Sequence, residues 1–435
     1  GMTGITGATC TVSPALPAGL SIDSSTCTIS GTPTAVASNT TYTIVATLNN
    51  VNYQGTFWLS SAYHELTPSV EGADLMVGDL MDDITFQYNA SAASGSGGSS
   101  GSNSNSGTYN GNGTAWMVKD INSGSSRSIH SSGADFTAVG NTLYFQASDG
   151  TNGYELWKSD GTASGTVMVK DINSGSSSSL SSSGAYFTAV GNTIYFRAND
   201  GTNGTELWKT DGTSSGTVMV KDIYSGTSSS GLNYLTAVGN TLYFRADDGI
   251  NGGELWKSDG TAAGTVMVKD IYSGSNSGSI QYITAIGNTL YFSASDGTSG
   301  DELWKSDGTA SGTVMVKDIR VPSGSSVPYS LTAVGSTLYF RADDGTNGYE
   351  LWKSDGTASG TVMVKDINSG SSSSSPSQFT AVGNTLYFRA NDGTNGTELW
   401  KTDGTSSGTV MVKDIYSGIS SSSPSHFTAV GNTLY

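Results

Sequence analysis

Four arginines, Arg197, Arg245, Arg341 and Arg389, each stand nine residues before a glutamate, Glu206, Glu254, Glu350 and Glu398. A guanidinium and a carboxylate on either side of a turn predict a cross-strand ion pair, because a hairpin centred on the intervening loop sets the two side chains opposite each other. The alternative use of the same residues is an arginine cluster that reads a carboxylate or sulfate through paired N–H donors. The ion pair is the favoured reading. Gln146 and Ser293 break the arginine series while Glu155 and Glu302 remain.

The loops between these residues carry Asp149, Asp200, Asp247, Asp248, Asp296, Asp343, Asp344 and Asp392. Calcium takes six to eight oxygens, and one or two carboxylates with nearby carbonyls would supply part of that shell. No loop has the D-x-[DN]-x-[DN]-G spacing of an EF-hand, and Asp-Gly and Asn-Gly are ordinary turn formers, so plain turns are preferred to calcium. No other cofactor is expected. His64, His130 and His426 are scattered, with no Ser/His/Asp set or His-rich ligand set around them. With every recurring carboxylate part of a repeat, the chain is expected not to be an enzyme.

The element that must position these residues is ELWKSDGT, first met at Glu155 to Thr162. Its tryptophans are Trp157, Trp208, Trp256, Trp304, Trp352 and Trp400, separated by 51 residues once and then by 48 four times. Each period holds four short apolar runs divided by Gly-Asn, Asp-Gly and Ser-rich turns, which predicts a four-stranded antiparallel meander. In Thr142-Leu143-Tyr144-Phe145 large residues alternate onto both faces, so each sheet must be covered on both sides by its neighbours. A radial stack of such sheets, with about 40 to 50 residues per blade, is a β-propeller, and the tryptophans then belong to its core. A β-solenoid is the other reading, but the tight Gly-Asn and Asp-Gly connections favour hairpins.

These copies resemble the ELWxxDGT repeat family and, more distantly, quinoprotein-like propeller blades. The resemblance implies a place in long secreted or surface-attached proteins of marine microbes. The array is assigned to residues 114–435. Gly113 to Ile121 matches a fourth strand and Phe427 to Tyr435 a first strand and the start of a second. Six complete blades are therefore expected, with a seventh position that is composite or incomplete and lacks its ELWKSDGT strand.

Ahead of the array, residues 1–65 alternate in the manner of a small β-sandwich. The words from Ser13 to Thr34, SPALPAGLSIDSSTCTISGTPT, and Tyr42 to Thr47, YTIVAT, resemble the immunoglobulin-like domains of bacterial and archaeal surface proteins, with Cys27 where that pattern has glycine. The family's opening strand is missing. Residues 66–88 look like the start of a second such domain, and residues 89–113, rich in Ser, Gly and Asn, read as a linker. Cys10 and Cys27 are the only cysteines and lie in alternating segments, so a disulfide, and with it an oxidising compartment, is expected.

A net charge of -17 excludes nucleic acid and anionic membranes as partners, since both need clustered Lys and Arg. No apolar run is long enough to cross a bilayer, so no membrane insertion is expected of this sequence. A monomer is expected, outside the cell or at its surface, that binds glycans or surface proteins without catalysis. A structural spacer is the first alternative and a propeller glycoside hydrolase or sialidase-like enzyme the second. The Ser-rich connections, including those before Phe187, Leu235 and Leu331, vary most from copy to copy, which makes their face the place to look for a ligand.

Overall fold

The computed structural model describes residues 9–13, 15–16, 18, 20–22, 24, 29–31, 40–48 and 51–59, and then 117–435 apart from 124–125, 130–134 and 182–183. The chain divides into two units, Gly1–Trp116 and Met117–Tyr435. Among the described residues every regular element is a β-strand. No helix is long and apolar enough to cross a membrane. The segment 66–88 and the linker 89–113 lie outside the described residues.

In the first unit Thr40–Leu48 is the central strand of three, flanked antiparallel by Thr9–Ser13 and Val51–Leu59, while Leu20–Ile22 pairs with Ile29–Gly31. Cys10 faces Ala46 across the ladder and is 2 % exposed. It is held in a disulfide. Cys27 lies outside the described residues.

Among its described residues the second unit contains six four-stranded antiparallel sheets, each a meander of consecutive strands. In repeat unit three the strands are Asn233–Val238, Thr241–Asp247, Gly253–Ser258 and Val266–Lys269. Gly239, at φ +56°, makes the first hairpin turn possible, a conformation that costs a residue without Cβ nothing. Alternation along the second strand buries Leu242 and Phe244 on one face and Tyr243 on the other. Each face finds its cover in the neighbouring repeat unit. Tyr195 and Leu207 of unit two pack with Phe244, Ala246 and Trp256 of unit three, and Tyr243 and Leu255 pack in turn with Phe292, Ala294 and Trp304 of unit four.

Polar contacts repeat at the same boundary. Lys221 lies over the Trp256 ring, 5.6 Å from its centroid, and donates to the Thr265 carbonyl at 2.8 Å. Lys209 donates to the Gly260 carbonyl at 2.8 Å. All six repeat tryptophans are 5–6 % exposed. They are therefore core residues, and from Trp208 onward each ring also holds a lysine from the unit before.

The ends of the array depart from the expected composite blade. Met117–Ile121 carries no strand, although Lys119 donates to the Thr166 carbonyl at 2.7 Å as its equivalents do elsewhere. At the other end Ala429–Val430 and Thr433–Leu434 pair with each other in a two-stranded sheet. Among the described residues no ladder joins the two fragments. The outward face of unit six is correspondingly bare. Val412 is 45 % and Ile415 53 % exposed, where Val364 and Ile367 in unit five are each 6 % exposed.

Candidate ligand-binding site

The arginines and glutamates do not meet as expected. The second and third strands pair in the register Arg197 with Leu207 and Ala198 with Glu206, and likewise Arg245 with Leu255 and Ala246 with Glu254. Units five and six repeat this, with Ala342 opposite Glu350 and Ala390 opposite Glu398. One residue of register moves a side chain to the opposite face of the sheet, so the cross-strand ion pairs do not form.

The glutamates serve the backbone instead. Glu206 is fully buried and accepts from the Ile223 amide at 2.9 Å and the Ser230 amide at 2.9 Å. Glu155, Glu254, Glu302, Glu350 and Glu398 hold the equivalent amides in their own units. Burial pushes the carboxyls of Glu155, Glu206 and Glu254 up to about 7 and that of Glu302 to about 6, against hydrogen bonds that favour the charged form. Glu350 is raised for the same reason. At Glu398, on the bare unit six, burial still opposes the charge, but the hydrogen bonds from Ser422, Ile415 and Tyr416 win and the carboxyl is held below its ordinary value.

The loop aspartates are engaged in their own turns. Asp200 accepts from the amides of Thr202 and Asn203 and from the Asn203 side chain, at 2.9, 2.8 and 2.7 Å. Asp149, Asp248, Asp344 and Asp392 repeat all three bonds, and Asp296 the two backbone ones. Asp247 accepts from the Gly249 amide, and Asp343 accepts from Gly345 and pairs with Arg320. Among the described residues no three His, Cys, Asp or Glu side chains converge as a metal-binding group.

What differs between units lies at the entry to each first strand. In unit three the ladder slips between Asn233 and Thr236, and the extra residue bulges out at Tyr234, with φ +56°. The same left-handed conformation recurs at Tyr186, Tyr282, Ser330, Gln378 and His426, with φ from +53° to +59°. A non-glycine residue there is uncommon, and a row of six is a built feature. At these six positions the backbone is the same, and the side chain is tyrosine three times and then serine, glutamine and histidine.

Along this row the tyrosines gather. Tyr234 and Tyr282 have ring centroids 5.7 Å apart, and Tyr282 meets Tyr329 edge-on at 4.5 Å. Burial, then the neighbouring Tyr329 and Tyr234, push the Tyr282 phenol up to about 12. The arginines freed from the glutamates border the cluster. Arg341 lies 4.5 Å from the Tyr329 ring and 4.9 Å from the Tyr349 ring, and Arg197 stacks on Tyr186 at 4.3 Å. Arg245 donates to the Gly231 carbonyl at 3.1 Å and Arg389 to the Ser377 hydroxyl at 2.9 Å. Unit four departs, with Ser293 in the arginine position and Asp301 where unit five has Tyr349. A cavity of about 630 Å³ opens beside the row, lined by Asp135, Phe136, Tyr186, Phe187, Asn233 and Tyr234 among others.

Residues 2–61 match the family model described as Putative Ig domain. That match ends before the repeat array. No curated protein matches the sequence. Among solved structures the chain is similar to a prolyl endopeptidase at 13% identity and a TM-score of 0.41, over 69% of this chain and 44% of that one. It is similar to a puromycin hydrolase at 14% identity and 0.34, over 68% and 56%. A third is prolyl oligopeptidase B from Galerina marginata in its apo form, at 10% identity and 0.36, over 64% and 41%. The chain thus spans about half the length of these structures. All three are enzymes by name, and the expectation that this chain is not an enzyme is corrected on that finding. At such TM-scores the similarity carries no activity or residue over to this chain.

The row of bulged residues escaped the sequence reading. The row lies in or next to the Ser-rich connections before Phe187, Leu235 and Leu331, in which no single position stood out. The signal was available in the 48-residue spacing: Tyr186, Tyr234, Tyr282, Ser330, Gln378 and His426 occupy one position of the repeat. His426, scattered in sequence terms, is a member of the row, and its amide donates to the Gln378 side chain at 3.3 Å.

Proposed function

We propose that the repeat array is a recognition module, outside the cell or at its surface, that binds glycans or other surface-borne ligands along the row from Tyr186 to His426. The observation that carries this reading is a constant left-handed backbone that displays tyrosine in three units and serine, glutamine and histidine in the three that follow. A position under packing constraint would hold one residue type, as the tryptophan position does. Tyrosine rings offer flat apolar faces with a polar edge, which suits stacking on sugar rings. The Cys10 disulfide and the Ig-like match favour an oxidising, surface-exposed setting.

We further read the six sheets as blades of a propeller with about seven positions. The lateral contact of first strands in successive units supports it, since these would line the axis. A glycan array probed with the full chain tests the function. Binding that Tyr234→Ala removes is the expected result, and no ligand above background, or ligands indifferent to the substitution, would refute it.

A further inference from the structure

Arg341 is held unlike a structural arginine. Its guanidinium lies beside two rings, Tyr329 and Tyr349, and its Nε is buried without a hydrogen-bond partner. Such an arrangement fixes the plane of the guanidinium while leaving donors unspent. Its ladder partner is Tyr329, which touches Tyr282, which touches Tyr234, so the cation ends a continuous aromatic strip. Glu350, the carboxylate that might have neutralised it, is fully buried on the opposite face with the Ile367 and Ser374 amides. Asp343, two residues along the strand, is paired with Arg320. In a chain of net charge -17, a cation left without a carboxylate partner beside an aromatic strip is a selective feature.

We propose that the Tyr234–Tyr282–Tyr329 strip and Arg341 form a subsite for an acidic sugar, the rings stacking on the pyranose faces and the guanidinium taking a carboxylate or sulfate. This rests on the reading of the row as a ligand site. A planar fork meets either oxyanion through parallel N–H···O bonds, and charge-assisted bonds are about twice as strong as neutral ones. Sequence position alone does not reveal it, because four arginines share the repeat position and only Arg341 has tyrosine on both sides.

The test measures binding of the full chain, by calorimetry, to three probes: oligogalacturonate, its neutral methyl ester, and a sulfated galactan oligomer. The acid and the sulfate are expected to bind at least about tenfold more tightly than the ester, and the difference to shrink in high salt. Arg341→Gln should erase the preference while the ester still binds, and Arg341→Lys should restore part of it. Tyr234→Ala should weaken all three. Equal binding of acid and ester, or a preference unchanged in Arg341→Gln with an unaltered melting temperature, overturns the subsite and leaves the tyrosine row intact. Absence of binding to every probe overturns both.

Discussion

Tyr282 and Tyr329 meet edge-on across the boundary between the fourth and fifth repeat units, with centroids 4.5 Å apart. The two come from different positions of the repeat, so the contact is not a copy of one made at the other boundaries. Symmetry is broken there by side chains while the backbone continues unchanged.

This pair should couple energetically. A double-mutant cycle of Tyr282→Ala and Tyr329→Ala is expected to give an interaction of about 1 kcal/mol, the range of edge-to-face aromatic pairs. Strict additivity in the denaturation midpoints would mean that the two rings are held apart by their own units.

The buried glutamates predict an unusual pH dependence. Their folded pKa values, about 7 for Glu155, Glu206 and Glu254 and about 6 for Glu302, exceed the ordinary 4.5. Between those limits the folded chain binds protons that the unfolded chain has released, so their contribution is fully present below 4.5 and lost as pH rises through about 7. The loop aspartates act in the opposite sense. Asp149, Asp200, Asp248, Asp344 and Asp392 are held below 3.8, since hydrogen bonds from their own loops outweigh burial, so their contribution is lost as pH falls through that range. Thermal melts should therefore peak near about pH 5. A melting temperature that climbs steadily to about pH 8 contradicts the glutamate assignment.

Removing one such carboxylate should cost more than neutralising it. Glu206→Ala leaves the Ile223 amide buried without an acceptor and the Ser230 amide with only the Thr205 carbonyl at 3.3 Å, for about 1–3 kcal/mol of lost stability. Glu206→Gln keeps an acceptor oxygen, and its cost should be under half of that. Urea denaturation of the two variants decides it.

Two adjacent glycines should respond in opposite ways. Gly252 has φ +67°, and a Cβ there would lie 2.2 Å from the Asn276 carbonyl oxygen, so Gly252→Ala should destabilise by about 2–4 kcal/mol. At Gly253 the atoms nearest an added Cβ belong to the Arg245 guanidinium, 2.1 Å away, a flexible side-chain end that can swing aside. Gly253→Ala should then melt within a few degrees of the parent. Comparable losses in both variants would show that Arg245 is fixed.

The strands, their meander and the tryptophan core were legible because alternation and turn residues repeat six times, each copy confirming the others. The glutamates were legible as recurring residues but not in their role. Centring the hairpin on its loop put Arg197 opposite Glu206, whereas the five-residue loop closes with Asn199 opposite Thr205, and that single step decides which face a charge occupies. The tyrosine cluster was hidden for a different reason. A left-handed bulge leaves no mark in hydrophobic periodicity, and Tyr234 and Tyr329 come together only once the units are stacked.

The lysine over tryptophan recurs at each of the five boundaries between units, and each unit's glutamate holds the equivalent amides. A copied or deleted repeat therefore meets the same neighbours on both sides, and the chain can change length without a new interface being invented. Each added copy also brings one more left-handed position, which takes Tyr, Ser, Gln or His among the present units. Such a molecule can diversify what it recognises one unit at a time, while the part that keeps it folded stays fixed.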